Sequence, residues 1–403
     1  MTISYNHTKM WLQSNYQKLK STIKNRPAVL IAIGWILAIL LVRLFVVSTM
    51  HQPGNQEVQP VIAGSLQGIV KWDGGYYLGI AQNGYDLSSP NPAFYPLFPF
   101  AIRILHSIGF GWILAGVVIN AVAVIFAAQG LYRLTEIITK KKKIAALTVF
   151  AWLAFPSAHF LAAYYTEAVF TALAVWSLVF LLRNKYLPAI LFAGLASGSR
   201  MIGIVLGAVI FYHYVATKSW RDEKQRWWVL AIPLSFTGIG LYWLWLYRQT
   251  GVLPPAFFNQ MYDTYWPYMG FEPNIFATFW GGFLAIMKAW RSSSWIDEWV
   301  SDIFTKIHFF ASWVIIALSA IFAWRKKLPN ELVIYSTLMA LLLILTGNFI
   351  SHSRYILPVF PVFILIAMWL DKQAEWVRTL YFILSAIGLG AMLTLFANGY
   401  WVG

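Results

Sequence analysis

Long apolar blocks separated by short polar stretches run along this chain from residue 28 almost to its end. About twenty apolar residues cross a bilayer as a helix, and fewer suffice where a helix is short and buried in protein. The blocks predict spans near 28–49, 111–130, 144–160, 166–182, 187–198, 200–216, 227–247, 308–324, 331–347, 355–370 and 379–397. The expected fold class is an all-α polytopic membrane protein with about eleven transmembrane helices. Two long extracytoplasmic loops, roughly 50–110 and 248–307, are expected to carry interfacial helices.

Composition strengthens that reading. The chain has 403 residues, of which 59% are hydrophobic and only 11% charged. Soluble domains are about one quarter charged. No cysteine is present, which excludes disulfides, thiolate metal sites and a cysteine nucleophile. Residues 1–27 are polar and basic and lack a small-residue cleavage site, so the first helix reads as an uncleaved signal anchor.

The net charge of +15 does not point to nucleic acid, because the basic residues fall in short clusters between apolar blocks. With the N-terminus in the cytoplasm, 21 of the 30 Lys and Arg lie in short cytoplasmic segments. Eight lie outside and Arg43 sits inside the first span. This is the positive-inside distribution. Nine of the 15 acidic residues are external, and chemistry is expected at the elaborate loops on that face.

Leu187–Ala216 is long enough for a single helix, but a single crossing would invert the rest of the topology. Two short segments meeting at Gly198–Ser199–Arg200 are therefore expected. Broken helices at membrane depth are tolerated where they line a polar cavity. The expected units are a cytoplasmic segment 1–27, a seven-helix module 28–247, the loop 248–307 and a C-terminal helical module 308–403.

Several polar groups stand out against this apolar background. Asp73 opens a short helical stretch, either as an N-cap or as a chemical group; the Gly-Gly that follows is a poor helix start but lets something approach the backbone. Tyr76 and Tyr77 beside it suit the membrane interface. Arg200 lies between two apolar half-segments, where an arginine snorkels or binds an anion. His352 and Arg354, flanked by serines, could hold a phosphate through a guanidinium fork and hydroxyl donors. Tyr165 and Glu167 fall in an expected tight external turn, where Glu167 is either a helix-start carboxylate or a sugar contact. Gln260 lies in an aromatic, amide-bearing stretch of the second loop. Neither His-rich spacing nor paired Asp-X-Asp occurs, so no cofactor is expected to be required; a divalent metal stays open without a clear site.

"WDGGYYLGIAQNGYD" followed by "AFYPLFPFAIR" resembles the first-loop signature of the PIG-V-like mannosyltransferases. That family includes the second mannosyltransferase of GPI-anchor assembly and bacterial relatives, and belongs to the GT-C class of membrane glycosyltransferases. "PSAHFLAAYYTEAVFTAL", "AGLASGSRMIGIVLG", "YRQTGVLPPAFFNQ" and "SRYILPVFPVFILIA" match further segments in order, so that the resemblance spans about 70 to 370. One departure concerns the second acid that many GT-C enzymes keep close to the first-loop Asp. Here the next acid in the sequence is Asp86, thirteen residues on, which argues against a metal-bridging pair.

The resemblance implies inverting transfer of a sugar, most simply mannose, from a polyprenyl-phosphate donor to a glycolipid, glycan or protein acceptor. Asp73 is then the general base. Arg200, Arg354 and His352 meet the leaving phosphate. Trp72, Tyr76, Tyr77, Tyr165, Glu167 and Gln260 contact sugar or acceptor. The partners are the donor, the acceptor and the bilayer, with no nucleic acid. The expected location is a bacterial cytoplasmic membrane with an extracytoplasmic active site, or alternatively the endoplasmic reticulum with a lumenal one. A lipid-linked sugar flippase would use the same anion sites without Asp73 as a base.

Overall fold

The computed structural model describes residues 27–49, 69–266, 274–292, 304–326, 328–345, 351–400 and 402. Residues 1–26 of the expected cytoplasmic segment 1–27, the loop stretches 50–68, 267–273 and 293–303, and residues 327, 346–350, 401 and 403 lie outside the described residues. No strand occurs among the described residues.

Each expected span coincides with helix, though often shifted by several residues. In the first half these are α1 (Pro27–Thr49), α4 (Trp112–Thr139), α5 (Lys142–Ala154), α6 (Glu167–Leu181), α7 (Tyr186–Ser199) and α8 (Ile204–Ala216). A run follows through α9 (Trp228–Ala231), a 3-10 stretch and α10 (Thr237–Thr250). In the second half they are α13 (Phe304–Arg325), α14 (Asn330–Ile344), α16 (Pro361–Leu370) and α17 (Glu375–Ala397). Between these lie α2 (Asp73–Asn83), α3 (Leu97–Ser107), α11 (Pro254–Tyr265), α12 (Ile275–Ser292) and one turn of helix, α15 (His352–Tyr355). By length and composition, five stretches can cross a bilayer unaided: Pro27–Val46, Trp112–Thr139, Trp228–Thr250, Lys306–Arg325 and Glu375–Ala397. Most of the other apolar helices, α6, α7, α8, α14 and α16, are shorter and more buried, as helices packed inside a bundle can be, whereas α3 and α12 are more exposed. The chain is an integral membrane protein.

Apolar side chains face both inward and outward. Leu37, Leu41 and Phe45 are exposed along α1, while Ala28 and Ala32 on the same helix are fully buried. This is the arrangement of a helix that presents large residues to lipid and small ones to its neighbours.

The 187–216 region is a hairpin, as the charge distribution required. Arg200 is extended (φ −156°, ψ 143°) and breaks the helix between α7 and α8. Tyr186 at the start of α7 lies 2.8 Å, hydroxyl to hydroxyl, from Ser219 just beyond α8, so the two helices run back to back. The turn is tight enough that a Cβ on Gly203 would stand 2.5 Å from the Ser197 nitrogen. Gly194 and Gly198, four residues apart on α7, receive α10 at backbone contact: a Cβ on Gly238 would sit 2.2 Å from the Gly198 nitrogen. Small residues at this spacing let helices approach closely in a bilayer.

The end of the bundle opposite Arg200 carries short connections and charged ties. His213 Nδ1 lies 2.7 Å from Glu331 Oε1, and its Nε2 lies 2.9 Å from Asn184 Oδ1, joining α8 to α14. Lys143 reaches Asp371 at 2.8 Å. At the Arg200 end, the turn that follows α15 is anchored from two helices. Trp152 Nε1 donates to the Leu357 carbonyl at 3.2 Å, and the Tyr335 hydroxyl donates to the Pro358 carbonyl at 2.8 Å.

Candidate functional site

The site is built on the connection between α5 and α6. Asn120, a polar residue buried in the apolar wall of α4, donates its amide to the Ala163 and Tyr165 carbonyls at 2.5 and 3.1 Å. Tyr164 swings the other way and donates its hydroxyl to the Trp112 carbonyl at 2.8 Å. Its ring lies where a side chain at Gly116 would be, since a Cβ there would meet it at 2.2 Å. The connection is thereby held in one shape before α6 begins at Glu167.

The first loop is attached to this scaffold. The Tyr164 amide donates to the Ile69 carbonyl at 3.4 Å, and the Tyr165 hydroxyl donates to the Lys71 carbonyl at 3.2 Å. Trp72 takes a left-handed conformation (φ 52°) and α2 starts at Asp73. Gly74 packs on Tyr164, with a Cβ there 3.2 Å from the Tyr164 Cβ, whereas Gly75 has open space around the same position. Of the glycine pair, one is therefore needed for packing within the chain. The capping reading of Asp73 does not hold, because no side chain caps α2 and Asp73 is the first residue inside the helix.

Instead, Asp73 Oδ2 accepts from Arg354 Nη1 at 2.5 Å. Arg354 Nε lies 4.0 Å from Glu167 Oε1, which accepts from Arg200 Nη1 at 2.5 Å. Four charges thus alternate in a row: Asp73, Arg354, Glu167, Arg200. The second acid near the first-loop aspartate is Glu167, brought in by the fold; Asp86 is exposed and bonded to Ser88. Those Ser88 bonds hold the Asp86 carboxyl below its usual range. Glu167 is the closed centre of the row at 1% side-chain exposure, against 18% for Asp73 and 15% for Arg200. Asp73 is thus open to a molecule from outside. Its Oδ1 has no hydrogen-bond partner among the described residues.

Aromatic rings hold the cations. The Arg354 guanidinium sits 5.3 Å from the Tyr165 ring and 5.0 Å from the Tyr355 ring, and Arg200 sits 5.1 Å from Tyr355 on its own account. Such contacts are favourable where water is excluded. Arg354 Nη2 also donates to the Tyr355 hydroxyl at 3.2 Å. Burial works against the Arg354 charge, but Asp73, then Tyr355 and Glu167, outweigh it and hold its pKa well above the ordinary value. Tyr77 and Arg200 converge on the Thr166 hydroxyl at 3.3 and 3.5 Å.

The remaining candidates stand farther out. Tyr76 is partly exposed and stacks on Phe94 at 4.7 Å, and Trp72 is exposed at the rim. His352 turns away from the row: its Nε2 lies 2.9 Å from the Leu343 carbonyl oxygen and its ring meets Tyr355 edge-on. Gln260 is exposed on α11, whose buried side packs through Phe258 and Met261 against Tyr242 and Tyr95. Sequence reasoning did not single out Thr166, Tyr355 or Asn120. Asn120 carried a signal, being a lone amide within an apolar block; Thr166 and Tyr355 carried only their adjacency to Glu167 and Arg354. Among the described residues, no three His, Cys, Asp or Glu side chains gather as metal ligands do.

The family model described as Mannosyltransferase (PIG-V) matches residues 25–225. GPI mannosyltransferase 2 of Schizosaccharomyces pombe is 28% identical over 206 residues, covering 50% of this chain and 41% of that protein. GPI alpha-1,6-mannosyltransferase 2 of Homo sapiens is 28% identical over 158 residues, covering 37% of this chain and 32% of that protein. The matched stretch therefore spans less than half the length of these curated relatives. ArnT from Cupriavidus metallidurans in the apo state superposes with a TM-score of 0.51 at 15% identity, covering 87% of this chain and 62% of that one. At that identity the likeness shows the fold alone, which is the GT-C fold. Through residues 25–225, which hold Asp73, Glu167 and Arg200, the chain belongs to the PIG-V mannosyltransferase family.

Proposed function

We propose that this chain is a membrane-embedded mannosyltransferase that takes its sugar from a polyprenyl-phosphate donor. The observation that carries the reading is an accessible carboxylate, Asp73, bonded to a buried arginine within a row of two acids and two arginines. Asp73 removes the proton of an acceptor hydroxyl. The hydroxyl oxygen attacks the anomeric carbon from the face opposite the phosphate. The bond from that carbon to the phosphate oxygen breaks, and its electron pair leaves with the lipid phosphate, so that the sugar is transferred with inversion. The leaving group needs cations and N–H donors rather than a proton. Arg354 and Arg200 supply them, and the names of the relatives point to mannose as the sugar.

The resting pair has a consequence for this chemistry. A donor phosphate competes with Asp73 for Arg354, so that donor binding frees the Asp73 carboxylate to face the acceptor hydroxyl. The acceptor is a glycolipid, glycan or protein that meets this end of the bundle on the extracytoplasmic side. Orientation is testable because the chain has no native cysteine. An impermeant maleimide on intact cells should label Ser88→Cys and spare Lys224→Cys; the reverse pattern would invert the topology.

The decisive experiment gives purified protein polyprenyl-phosphate-mannose with candidate acceptors and reads the product by mass spectrometry. Asp73→Asn should lose at least about 100-fold in turnover, the usual contribution of a general base, while still binding the donor. Undiminished transfer by Asp73→Asn would sink the assignment.

A further inference from the structure

A second group of buried nitrogens lies apart from the Asp73 row. Arg43, near the last turn of α1, is 2% exposed, and its Nε and Nη2 are buried with no hydrogen-bond partner among the described residues. Its guanidinium lies over the Phe396 ring at 5.8 Å. His159 is fully buried, with its ring 5.4 Å from the same Phe396 ring. His159 Nδ1 faces the Pro156 carbonyl oxygen at 3.2 Å, so the neutral ring carries its proton there and its buried Nε2 is left without a partner among the described residues. His308, on α13, packs on Phe155 at 5.7 Å, and its Nε2 is likewise buried and unpartnered among the described residues. Arg43 and His159 thus share the Phe396 ring, and His308 meets the α5–α6 connection at Phe155, four residues before His159; among the described residues no carboxylate pairs with any of the three.

An ionised arginine inside a membrane bundle normally pairs with an acid or a backbone carbonyl, or faces a polar pathway. Arg43 does neither among the described residues. The Phe396 face compensates part of the charge but accepts no N–H bond from Nε or Nη2. Nitrogens arriving from three separate elements, α1, the α5–α6 connection and α13, match a group with several acceptor oxygens. A guanidinium engages phosphate through two parallel N–H bonds, and an imidazole that takes up a proton adds another.

We propose that Arg43, His159 and His308 form a second anion site, built for a phosphate group and separate from the Asp73–Arg354 row. The two groups touch different rings: Arg43 lies over Phe396 and Arg354 over Tyr165, and those rings are 6.2 Å apart. The phosphate is carried either by an anionic lipid or by free phosphate. A bound anion here would brace α1 and α17 against the connection that positions Glu167.

Isothermal titration of the full chain in detergent tests this with three probes: dihexanoyl phosphatidic acid, dihexanoyl phosphatidylcholine and inorganic phosphate. Phosphatidic acid should bind saturably and phosphatidylcholine should not. Arg43→Met should weaken phosphatidic acid binding at least about tenfold, Arg43→Lys should restore part of it, and His308→Gln should weaken it severalfold. Inorganic phosphate binding with the same Arg43 dependence assigns the free ion as sufficient, and its failure assigns the lipid. Without any probe, Arg43→Met should melt no lower than wild type, because it removes an uncompensated buried charge. Phosphatidic acid binding unchanged within twofold in Arg43→Met, or absent from wild type, overturns the proposal. So does probe-free destabilisation by Arg43→Met that Arg43→Lys repairs with no binding of either phosphate probe, which makes Arg43 a packing residue.

Discussion

Arg354 Nη1 lies 2.5 Å from Asp73 Oδ2, joining residues 281 positions apart in the chain. The contact ties the first loop to the turn before α16. It also fixes the resting state of the proposed base. Removing one partner of a buried ion pair leaves an uncompensated charge, a loss of about 3–5 kcal/mol when the pair is fully buried. With Asp73 18% exposed, the expected loss is at the low end of that range. Arg354→Met should therefore lower stability, since Asp73 and Glu167 lose their shared cation, and Asp73→Asn in the same chain should recover part of the loss. Unfolding midpoints of the two single variants and the double variant check this; strict additivity would mean that the contact carries no coupling.

Asn120 is far from the reacting groups but holds the Ala163 and Tyr165 carbonyls. Asn120→Ala leaves the Tyr165 carbonyl unbonded, at about 1–3 kcal/mol, and the Ala163 carbonyl with only the Tyr165 N–H at 2.8 Å. Thermal stability should fall, and transfer should fall beyond the loss of folded protein because Tyr165 and Glu167 shift. Activity per folded molecule equal to wild type would separate Asn120 from the site.

Gly238 and Gly240 lie on the same helix in opposite situations. A Cβ at Gly238 would collide with the Gly198 backbone, whereas Gly240 has nothing within 4 Å. Gly238→Ala should destabilise by about 1–3 kcal/mol through overpacking. Gly240→Ala should be neutral or stabilising by up to about 1 kcal/mol, because alanine favours helix. Thermal unfolding in detergent distinguishes them, and equal melting would disprove backbone contact between α7 and α10.

Asp371 titrates below the usual carboxylate range, chiefly because Lys143 bonds it, with Lys141 and Arg378 adding to the effect. A carboxyl depressed on folding contributes stability above its unfolded pKa of about 3.9, and that contribution disappears as pH falls through the lower folded value. Lys143→Met should therefore melt below wild type at neutral pH. The gap should close on acidification below about pH 3.9; a gap that persists there would assign the effect to packing.

The leaving phosphate in the proposed reaction is met by Arg354 and Arg200, so transfer should not require a divalent ion. Prolonged chelation should leave the rate within twofold. A tenfold loss restored by added magnesium or manganese would place a metal in the reaction.

The apolar blocks were enough to locate the long and the buried apolar helices among the described residues, and with the basic clusters the break at Arg200. Both follow from local physics: backbone groups in a bilayer must be bonded within a helix, and positive charge stays on the side of insertion. Asp73, Arg200 and Arg354 were legible for a related reason, since ionised groups beside apolar blocks are costly. The partners of those groups were not legible. Nothing near Asp73 in sequence names Arg354, and Glu167 reads equally well as a helix-start carboxylate until Arg200 is seen on it. Those pairings depend on how closely the helices approach, which Gly198, Gly238 and Gly116 set through contacts between distant backbones and rings. His352 shows the same limit from the other side: beside Arg354 it reads as a phosphate ligand, yet one turn of α15 aims its ring at the Leu343 carbonyl. The sequence by itself determined which charges the membrane must accommodate; only the tertiary structure decided which of them meet.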